Sequence, residues 1–429
     1  MRVLIDNSGY HLQNMGDVAM LEIAARRLRE FVPEAQLQTI TIAPHDLERL
    51  IGGWPLHANE RKRWQSSRAI PVPVRRSWLS NSMRNRLDST ESRFKVRFPQ
   101  IAARSIKLLG GRDAESNCQT STFVDAVKAS DLVVATGGGF FTDAFASHAN
   151  DVMTTLELAQ QLKKPTIVFG QGIGPLICKP TLRRMARVLG RASRIGLREQ
   201  KCGRQILSNV GIPDSKVVCT GDDAIELAHS KRPSSLGNAV GVNLRVANYS
   251  GVRESQVSLL RAGLVKFCTD RKLLSLPVPI SFFGGERDLD RVNELMKNVT
   301  AYTPIDVEQT PTAVIETVAR CRIVVTGSYH AGVFALSQGI PVIGLAASPY
   351  YQSKFLGLID QFGKGCQLID LSTNFAAQFD EALKLSYENA SAWRPALLCA
   401  AERQIKLSRA FYEESLSAIV HRHTHVSGV

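Results

Sequence analysis

Three kinds of signal are missing from the sequence, and each absence narrows the class of protein. The eight cysteines occur without CxxC or CxxH spacing, which argues against a zinc site and against a disulfide framework. No stretch of about 18 uninterrupted apolar residues is present, so we expect no membrane span. A GxGxxG fingerprint and a GxxxxGK loop are also absent, so neither a nicotinamide cofactor nor ATP is supported.

The ends and the composition of the chain predict where it works. The stretch MRVLIDNSGYH has too short an apolar run for a secretory signal. Scattered thiols in such a chain are typical of a reducing compartment, so we expect a cytoplasmic protein. A hydrophobic share of 44% over 429 residues supplies enough apolar material for two cores. We predict no oligomeric state from the sequence.

Acidic residues are scarce in one segment. Between Arg61 and Arg112 the sequence has 14 Lys and Arg against Asp88 and Glu91, which accounts for nearly the whole net charge of +14. Such asymmetry indicates an anionic partner. Zinc-finger spacing, an RNP-like motif and repeated aromatic residues are absent there, so we expect no specific nucleic-acid partner. An anionic glycan, a phosphorylated donor, peripheral contact with an acidic membrane at its inner face, and a solvated insertion without a ligand stay open.

Short apolar runs alternate with helical patterns along the chain. This alternation predicts doubly wound parallel sheets with helices on both faces. The stretch HSKRPSSLGN is polar and rich in Pro, Ser and Gly, so we interpret it as an interdomain linker. We therefore expect two Rossmann-like domains that face each other across a cleft. The predicted divisions are an N-terminal domain on the acceptor side at 1–232 with a basic insertion at 60–112, a C-terminal domain on the donor side at 238–391, and a helix at about 392–420 that crosses back.

Residues that follow the strands of the first half are the candidates for substrate binding, because ligands bind beyond the carboxyl ends of strands in open parallel sheets. Glycines let the backbone approach an anion, and the planar fork of an arginine suits an oxyanion. Structural alternatives are a helix cap, a ligand-free turn and an ion pair. The candidates are Asn14, Asp17, Gly138, Gly139, Gly172 and Arg198. One of Asp222 and its neighbour Asp223 is predicted to cap a helix, while the other orients a hydroxyl or acts as a base, and we take Asp222 as the catalytic candidate of the two.

The second half contains one histidine in the same kind of position. In RIVVTGSYHAGVF, His330 follows an apolar strand and stands at the start of a helix. The positive end of a helix lowers the proton affinity of a histidine, which suits a neutral base or a donor that reprotonates easily. His330 is therefore the leading catalytic candidate, against the alternative of a structural loop histidine. Further binding candidates near strand ends are Arg245, Ser328, Tyr329, Tyr350 and Lys354.

Seven short motifs occur in a fixed order across most of the chain. They are NMGD, ATGGGFFTD, FGQGIGP, GLRE, TGDDA, GSYHAGVFALSQGIPVIGL and SPYYQSKF. Together they resemble the polysaccharide pyruvyltransferase family. The resemblance implies a two-domain fold like that of GT-B glycosyltransferases. It also implies transfer of the enolpyruvyl unit of phosphoenolpyruvate, the donor substrate, to a sugar or lipid-linked glycan, which gives a pyruvate ketal and phosphate without a cofactor or metal.

The resemblance carries over to two residues and departs at a third. The family's arginine after the R-E strand falls on Arg198, and the histidine of its Arg-Leu-His triplet falls on His330. Here the triplet is Ser328-Tyr329-His330, so its arginine is missing, and Arg245 or Lys354 is a candidate to replace it. Two other functions stay open at this point. They are a GT-B nucleotide-sugar glycosyltransferase and a non-catalytic relative that binds a glycan or phosphate.

Overall fold

Two parallel sheets organise the chain. The computed structural model describes residues 1–70, 80–109, 114–244, 251–285, 287–297, 299, 302 and 305–426. Within these residues the first sheet contains β1 (Arg2–Asp6), β2 (Gln36–Thr41), β3 (Trp54–His57), β4 (Leu132–Ala135), β5 (Gly138–Phe141), β6 (Thr166–Ile173), β7 (Arg194–Leu197) and β8 (Val217–Cys219). The second sheet contains β9 (Ala239–Asn243), β10 (Ser275–Pro277), β11 (Cys321–Thr326), β12 (Val342–Ala346) and β13 (Cys366–Asp370).

Helices connect the strands and cover both faces of each sheet. In chain order they are α1 (Met15–Phe31), α2 (Pro44–Leu50), α3 (Ala58–Ser66), α4 (Asn81–Arg97), α5 (Pro99–Leu109), α6 (Ala114–Ala129), α7 (Ala146–Gln161), α8 (Lys179–Gly190), α9 (Lys201–Asn209), α10 (Ala224–Ser230), α11 (Glu254–Asp270), α12 (Asp288–Leu295), α13 (Pro311–Ala319), α14 (Tyr329–Ser337), α15 (Pro349–Phe362) and α16 (Ala376–Val426). No helix among the described residues is long and apolar enough to cross a membrane.

The strand order is that of a doubly wound fold. The first sheet runs β3-β2-β1-β4-β6-β7-β8 with β5 beside β6, and the second runs β10-β9-β11-β12-β13. All the strand pairs described are parallel. Central strands such as β4 and β12 are buried along their whole length, as expected for strands covered on both faces. The predicted arrangement of two Rossmann-like units is therefore confirmed.

One apolar core joins the two sheets. It includes Val18 and Leu21 on α1 and Phe334 on α14, all fully buried, so the first helix of the chain packs on elements of the second sheet. Two further cores cover the outer face of each sheet. Because apolar burial dominates the stability of a domain, the shared core fixes how the two sheets face each other.

Helix α16 is longer at both ends than the predicted span of about 392–420. It begins at Ala376 beside the second sheet and continues to Val426, passing through Pro395 without ending. It packs on β11, β12 and β13 near its start and on β7 and β8 of the first sheet further along. A single element thus holds both halves of the molecule.

The glycine-rich strand ends differ from the expected open turns. Gly138 and Gly139 lie inside β5, where Gly138 pairs with Gln171, and Gly172 lies inside β6. The physical reason is that a second short strand, β5, follows β4 almost directly and extends the sheet beside the longer β6. The backbone amide of a paired strand is committed to the sheet, so Gly138 is not placed in an open anion-binding turn.

The described part of the basic insertion is helical and partly buried. Arg61 is fully buried on α3, where it donates to Asp6 and lies near Asp151. Lys95 is also buried and donates to the backbone carbonyls of Trp64, Gln65 and Ser67. Two of the cations counted in the sequence are therefore structural, and only the exposed remainder is free to face a partner.

Candidate active site

A cavity of about 510 Å³ lies where the carboxyl ends of the two sheets meet. The loop after β1 and the segment after β10 join at its edge through two backbone hydrogen bonds. The amide of Met15 donates to Ile280 at 2.9 Å, and the amide of Phe282 donates to Gln13 at 2.8 Å. The cavity is therefore a shared feature of both halves, at the position where open α/β sheets bind ligands.

Most of the predicted binding residues converge on this cavity. Asp222 lies behind His330, whereas Gly138 and Gly172 are part of the sheet beneath the cavity wall. Arg245, a weaker candidate for anion binding, lies outside the described residues and stays a prediction. The predicted residues that line the cavity are Asn14, Asp17, Gly139, Arg198, Ser328, Tyr329, His330, Tyr350 and Lys354.

His330 and Asp222 form a buried pair from opposite sheets. His330 stands in the first turn of α14, and its Nε2 lies 3.7 Å from Oδ2 of Asp222, which follows β8. Burial disfavours the charged carboxyl, but His330 and Arg198 outweigh it, and the pKa of Asp222 is lowered. Neither the Nε2 of His330 nor the Oδ2 of Asp222 has a hydrogen-bond partner among the described residues. The carboxylate is thus placed to orient the imidazole, and the pair has unused hydrogen-bonding capacity.

Gly16 makes room for the imidazole of His330. The first turn of α1 passes so close to the ring that a Cβ on Gly16 would overlap it. Asn14 caps the same helix by accepting hydrogen bonds from the amides of Gly16 and Asp17. The motif NMGD therefore fixes a helix start and leaves space for a side chain of the other half. Asp17, which was predicted to stabilise that helix start or bind substrate, lies in the cavity wall.

Arg198 lies at the floor of the cavity with an incomplete set of partners. Its guanidinium stacks over the Tyr329 ring at 4.1 Å, and its Nε donates to Glu199 at 3.0 Å. Its Nη1 lies 3.6 Å from Asp222 and has no hydrogen-bond partner among the described residues. A buried guanidinium that is held by stacking and one carboxylate keeps donors for an oxyanion.

Glycines 139 and 172 shape the space that this arginine occupies. A Cβ on Gly172 would come within 2.6 Å of the Nε of Arg198, and a Cβ on Gly139 would come within 2.5 Å of its Nη2. These two glycines thus allow the guanidinium to lie flat against the sheet. The strand-end pattern predicted that these glycines let a ligand approach the backbone. In this structure they let the Arg198 side chain approach it instead.

Lys354 places a cation beside Arg198 in the cavity. A Cβ on Gly139 would meet its Nζ at 3.2 Å, so the ammonium lies beside Arg198. The Nζ also lies 4.1 Å from the centre of the Tyr350 ring, and the Tyr350 hydroxyl donates to the carbonyl of Gly139 at 3.2 Å. Burial away from water is the larger cause and repulsion from Arg198 the next, and together they lower the pKa of Lys354 to about 7. The ammonium form therefore gains stability whenever an anion enters.

The sequence predicts a helix cap for one of Asp222 and Asp223 and a place at the site for the other, whereas in the structure Asp222 makes both contacts and Asp223 caps no helix. Asp222 accepts the amide of Ala224 at 2.9 Å through Oδ1 and turns Oδ2 toward His330. Asp223 points the other way, where it accepts from Arg27 at 2.8 Å and from Tyr412 on α16 at 2.7 Å. The first carboxylate belongs to the cavity, and the second anchors the last helix.

Several residues at the site were missed from the sequence. Glu199 was part of the motif GLRE and holds Arg198, and burial raises the pKa of this carboxyl despite the arginine. At the outer end of the cavity Tyr10 stacks on His148 with 4.6 Å between ring centres, and Phe140 lies 4.7 Å from the same imidazole. In the sequence, only the ordered series of motifs pointed to Glu199. No local sequence pattern predicts that the rings of Tyr10, His148 and Phe140 lie together.

Arg61 connects the basic insertion to these rings. Its guanidinium lies 4.8 Å from the centre of the Tyr10 ring, and both the arginine and the Tyr10 hydroxyl bind Asp6. Burial, the largest influence, lowers the pKa of His148. The imidazole stacked on a fixed phenol gives the outer end of the cavity an aromatic surface.

Metal ligands are not grouped in the described part of the chain. No three His, Cys, Asp or Glu side chains there are arranged so that they could hold one ion. The lysine and arginine side chains that line the described cavity are Lys62, Arg198 and Lys354.

Comparison with solved structures defines the class of fold. The chain is similar to UDP-GlcNAc 2-epimerase from Neisseria meningitidis bound to UDP-GlcNAc, with 10% identity, a TM-score of 0.56 and coverage of 97% of this chain and 100% of that one. It is also similar to Anabaena Alr3699/HepE in complex with UDP, with 11% identity, a TM-score of 0.55 and coverage of 98% and 99%. At such identities the likeness establishes the fold alone, which is of the GT-B type.

A match to a family model identifies the family of the chain. The model of the polysaccharide pyruvyl transferase family matches residues 14–349. The chain therefore belongs to this family, and the resemblance seen in the motifs is confirmed. No curated protein gives a significant sequence match. Family and fold together define a polysaccharide-modifying transferase.

Proposed function

We propose that this protein transfers the enolpyruvyl unit of phosphoenolpyruvate to a sugar of a polysaccharide or its precursor. The observation that supports the proposal is the convergence of Arg198, Lys354 and His330 in one cavity, although they lie far apart in the sequence. Phosphoenolpyruvate carries a carboxylate and a phosphate, so a site for it needs two cationic or amide-rich positions. Arg198 and Lys354 provide both beside Gly139.

The departure from the family triplet fits this arrangement. Ser328 stands where the family has an arginine, and it lines the cavity next to Tyr329. Tyr329 lies under the guanidinium of Arg198, and the Nζ of Lys354 lies 5.7 Å from its ring centre. Lys354 is therefore our choice for the cation that replaces the missing arginine, with Arg245 as the second choice.

The chemistry takes an addition and then a substitution at one carbon. A hydroxyl of the acceptor adds to C2 of the donor while C3 accepts a proton, so the double bond becomes a methyl group on a phosphorylated ketal carbon. A second hydroxyl then replaces the phosphate at C2: its oxygen forms the new C–O bond and loses its proton, and the phosphate leaves with the electron pair of the broken C–O bond. The products are a pyruvate ketal and inorganic phosphate, and the proposal needs no metal and no cofactor.

His330 is the group that we assign to proton transfer. It donates a proton to C3 or removes one from the acceptor hydroxyl, and Asp222 orients its ring from behind. Ser328, Tyr329 and Tyr350 border the same space as secondary binding residues. The first turn of α14 brings the positive end of a helix to the donor, where it favours negative charge.

The outer aromatic end of the cavity suits the acceptor. The stacked rings of Tyr10 and His148 offer flat faces on which the apolar face of a sugar can lie. Asp17 lies in the wall between these rings and the cationic end, where a carboxylate can accept a sugar hydroxyl. We therefore assign the acceptor to the first half, which keeps the predicted acceptor side as part of the proposal.

The test is phosphate release from phosphoenolpyruvate in the presence of a panel of glycans, with the ketal identified by mass spectrometry. His330→Ala should lower the rate by about 10²- to 10⁴-fold, the usual contribution of a positioned acid or base. His45→Ala, at an exposed position on α2, is the matched control and should keep full activity. A chelator should leave the rate unchanged.

Three results would contradict the proposal. Sugar transfer from a UDP- or GDP-sugar without consumption of phosphoenolpyruvate would favour a glycosyltransferase. Saturable binding of phosphoenolpyruvate without turnover on any acceptor would favour a binding protein. Full activity of His330→Ala would remove the assigned role of the histidine.

A further inference from the structure

Helix α5 exposes apolar side chains among cations. Leu108 is 83% exposed and Ile101 is 54% exposed, although both are large aliphatic residues. Arg104 and Lys107 are exposed as well. The spacing of these four positions places them within one arc of the helix, because residues three, four and seven apart share a face.

The opposite side of the same helix is anchored. Ala102 is fully buried and Ile106 is 3% exposed, and both belong to the core of the first sheet. Helix α5 also packs on α4 and α6. The helix is therefore held in place by its own buried face, and the exposed apolar side chains are not needed to attach it.

The exposed arc carries charge of one sign. The sequence has no acidic residue between Glu91 and Asp113. Glu91 is turned inward, where it accepts the amides of Ala69 and Ile70. Immediately before the helix, Arg97 at the end of α4 and its C-cap Phe98 are also exposed, and they extend the pattern of cation beside apolar group. We call Arg97, Phe98, Ile101, Arg104, Lys107 and Leu108 the α5 face.

We propose that the α5 face docks the protein on an anionic lipid bilayer. Aliphatic and aromatic tips enter the boundary between headgroups and acyl chains, while the flanking cations bind the anionic headgroups. Nucleic acid would satisfy the cations but leave Ile101 and Leu108 in contact with phosphate and water. A second copy of this chain that used the same face would bring like charges together, which disfavours a symmetric dimer. The proposal is independent of the reaction assigned to the cavity.

The test is flotation of the full-length protein with vesicles of neutral lipid and of neutral lipid mixed with phosphatidylglycerol. Binding is expected only with the anionic mixture, and it should weaken at high salt because surface charges are screened. Ile101→Asp combined with Leu108→Asp should lower vesicle binding by about tenfold or more, since two charges would have to enter the apolar boundary. Arg104→Glu combined with Lys107→Glu should lower it as well.

Ile177→Asp is the matched control, because Ile177 is 83% exposed like Leu108 but lies outside the basic segment. This variant should bind anionic vesicles like the unmodified protein. Each variant replaces exposed residues, and an unchanged thermal melt will show that folding is intact. Equal binding to neutral vesicles, no binding to anionic vesicles, or an equal loss with Ile177→Asp would overturn the proposal. A dimer in sedimentation experiments that the α5 substitutions dissociate would assign the face to a second copy instead.

Discussion

The imidazole of His330 rests directly against the backbone of Gly16. The two residues lie in different halves of the molecule, one at the start of α14 and the other at the start of α1. A Cβ on Gly16 would overlap the ring, so the position of the candidate catalytic histidine depends on the absence of one methyl group.

Gly16→Ala should therefore damage both activity and stability. The added methyl forces the His330 ring or the first turn of α1 to move, and overpacking of this kind costs about 1–3 kcal/mol. The measurements are phosphate release and chemical unfolding. Gly190→Ala is the control, because a Cβ there meets nothing within 4 Å. If Gly16→Ala matches Gly190→Ala in both assays, the contact between Gly16 and His330 matters for neither activity nor stability.

Donor binding should depend on the protonation of Lys354. Its pKa of about 7 means that the ammonium is present below this pH in the free protein and is lost above it. An anionic donor binds the ammonium form, so the affinity for phosphoenolpyruvate should fall as the pH rises through 7. Calorimetric titration across this range measures the fall.

The phosphate of the donor also titrates, near pH 6, and so contributes to the pH dependence of binding. Two variants distinguish the contribution of Lys354 from that of the donor. Lys354→Met should bind weakly and lose the decline above pH 7. Lys354→Arg should keep a charge at every pH and so flatten the profile while still binding. The lysine is not the group responsible if Lys354→Met shows the same decline as the unmodified protein.

Asp222→Asn should uncouple His330 from its orienting carboxylate. The Oδ1 atom of the asparagine can still accept the amide of Ala224, so the backbone should stay in place. The negative charge beside His330 and Arg198 disappears, and we expect kcat/KM to fall by about 100-fold with a shifted pH profile. Asp46→Asn on the surface serves as the comparison. A fall in thermal stability alone, with normal kinetics, would reduce Asp222 to a structural role.

Tyr412→Phe should destabilise the protein without changing the cavity. The lost hydroxyl donates to the buried carboxylate of Asp223 at 2.7 Å, and a hydrogen bond to a charged group contributes about 1.5–3 kcal/mol. The measurement is the free energy of unfolding in denaturant. Tyr387→Phe is the control, since that hydroxyl makes no hydrogen bond to another described residue. Equal stabilities of the two variants would show that the anchor on α16 is weak.

The sequence predicted the arrangement of the molecule better than its fine geometry. Apolar runs that alternate with helical patterns suffice for two parallel sheets, because burial on both faces makes their strands continuously apolar. The same rule brought His330, Arg198 and Lys354 together, since strand ends share one edge of a sheet. The roles of these residues stay predictions until activity is measured.

Other features depend on tertiary contacts that no local pattern encodes. Gly139 and Gly172 read as open turns, but each lies in a strand and makes space for the guanidinium of Arg198. Pro395 lacks an amide hydrogen and fits the first turn of a helix better than its interior. The packing of α16 on both sheets overrides this preference, and the helix begins at Ala376. Arg61 counted as surface charge, but its partners Asp6 and Asp151 come from distant segments.

The path of α16 bears on how the protein can be divided. Ser408 and Tyr412 on α16 donate hydrogen bonds to Asp223. The preceding residue, Asp222, is the carboxylate that faces His330. A fragment that ends before Ala376 would keep both sheets and Arg27, which balances the charge of Asp223, but it would lose the two hydroxyls that bind this carboxylate. The two halves are consequently not interchangeable modules. A chimera with a relative should exchange the first half and the end of α16 together.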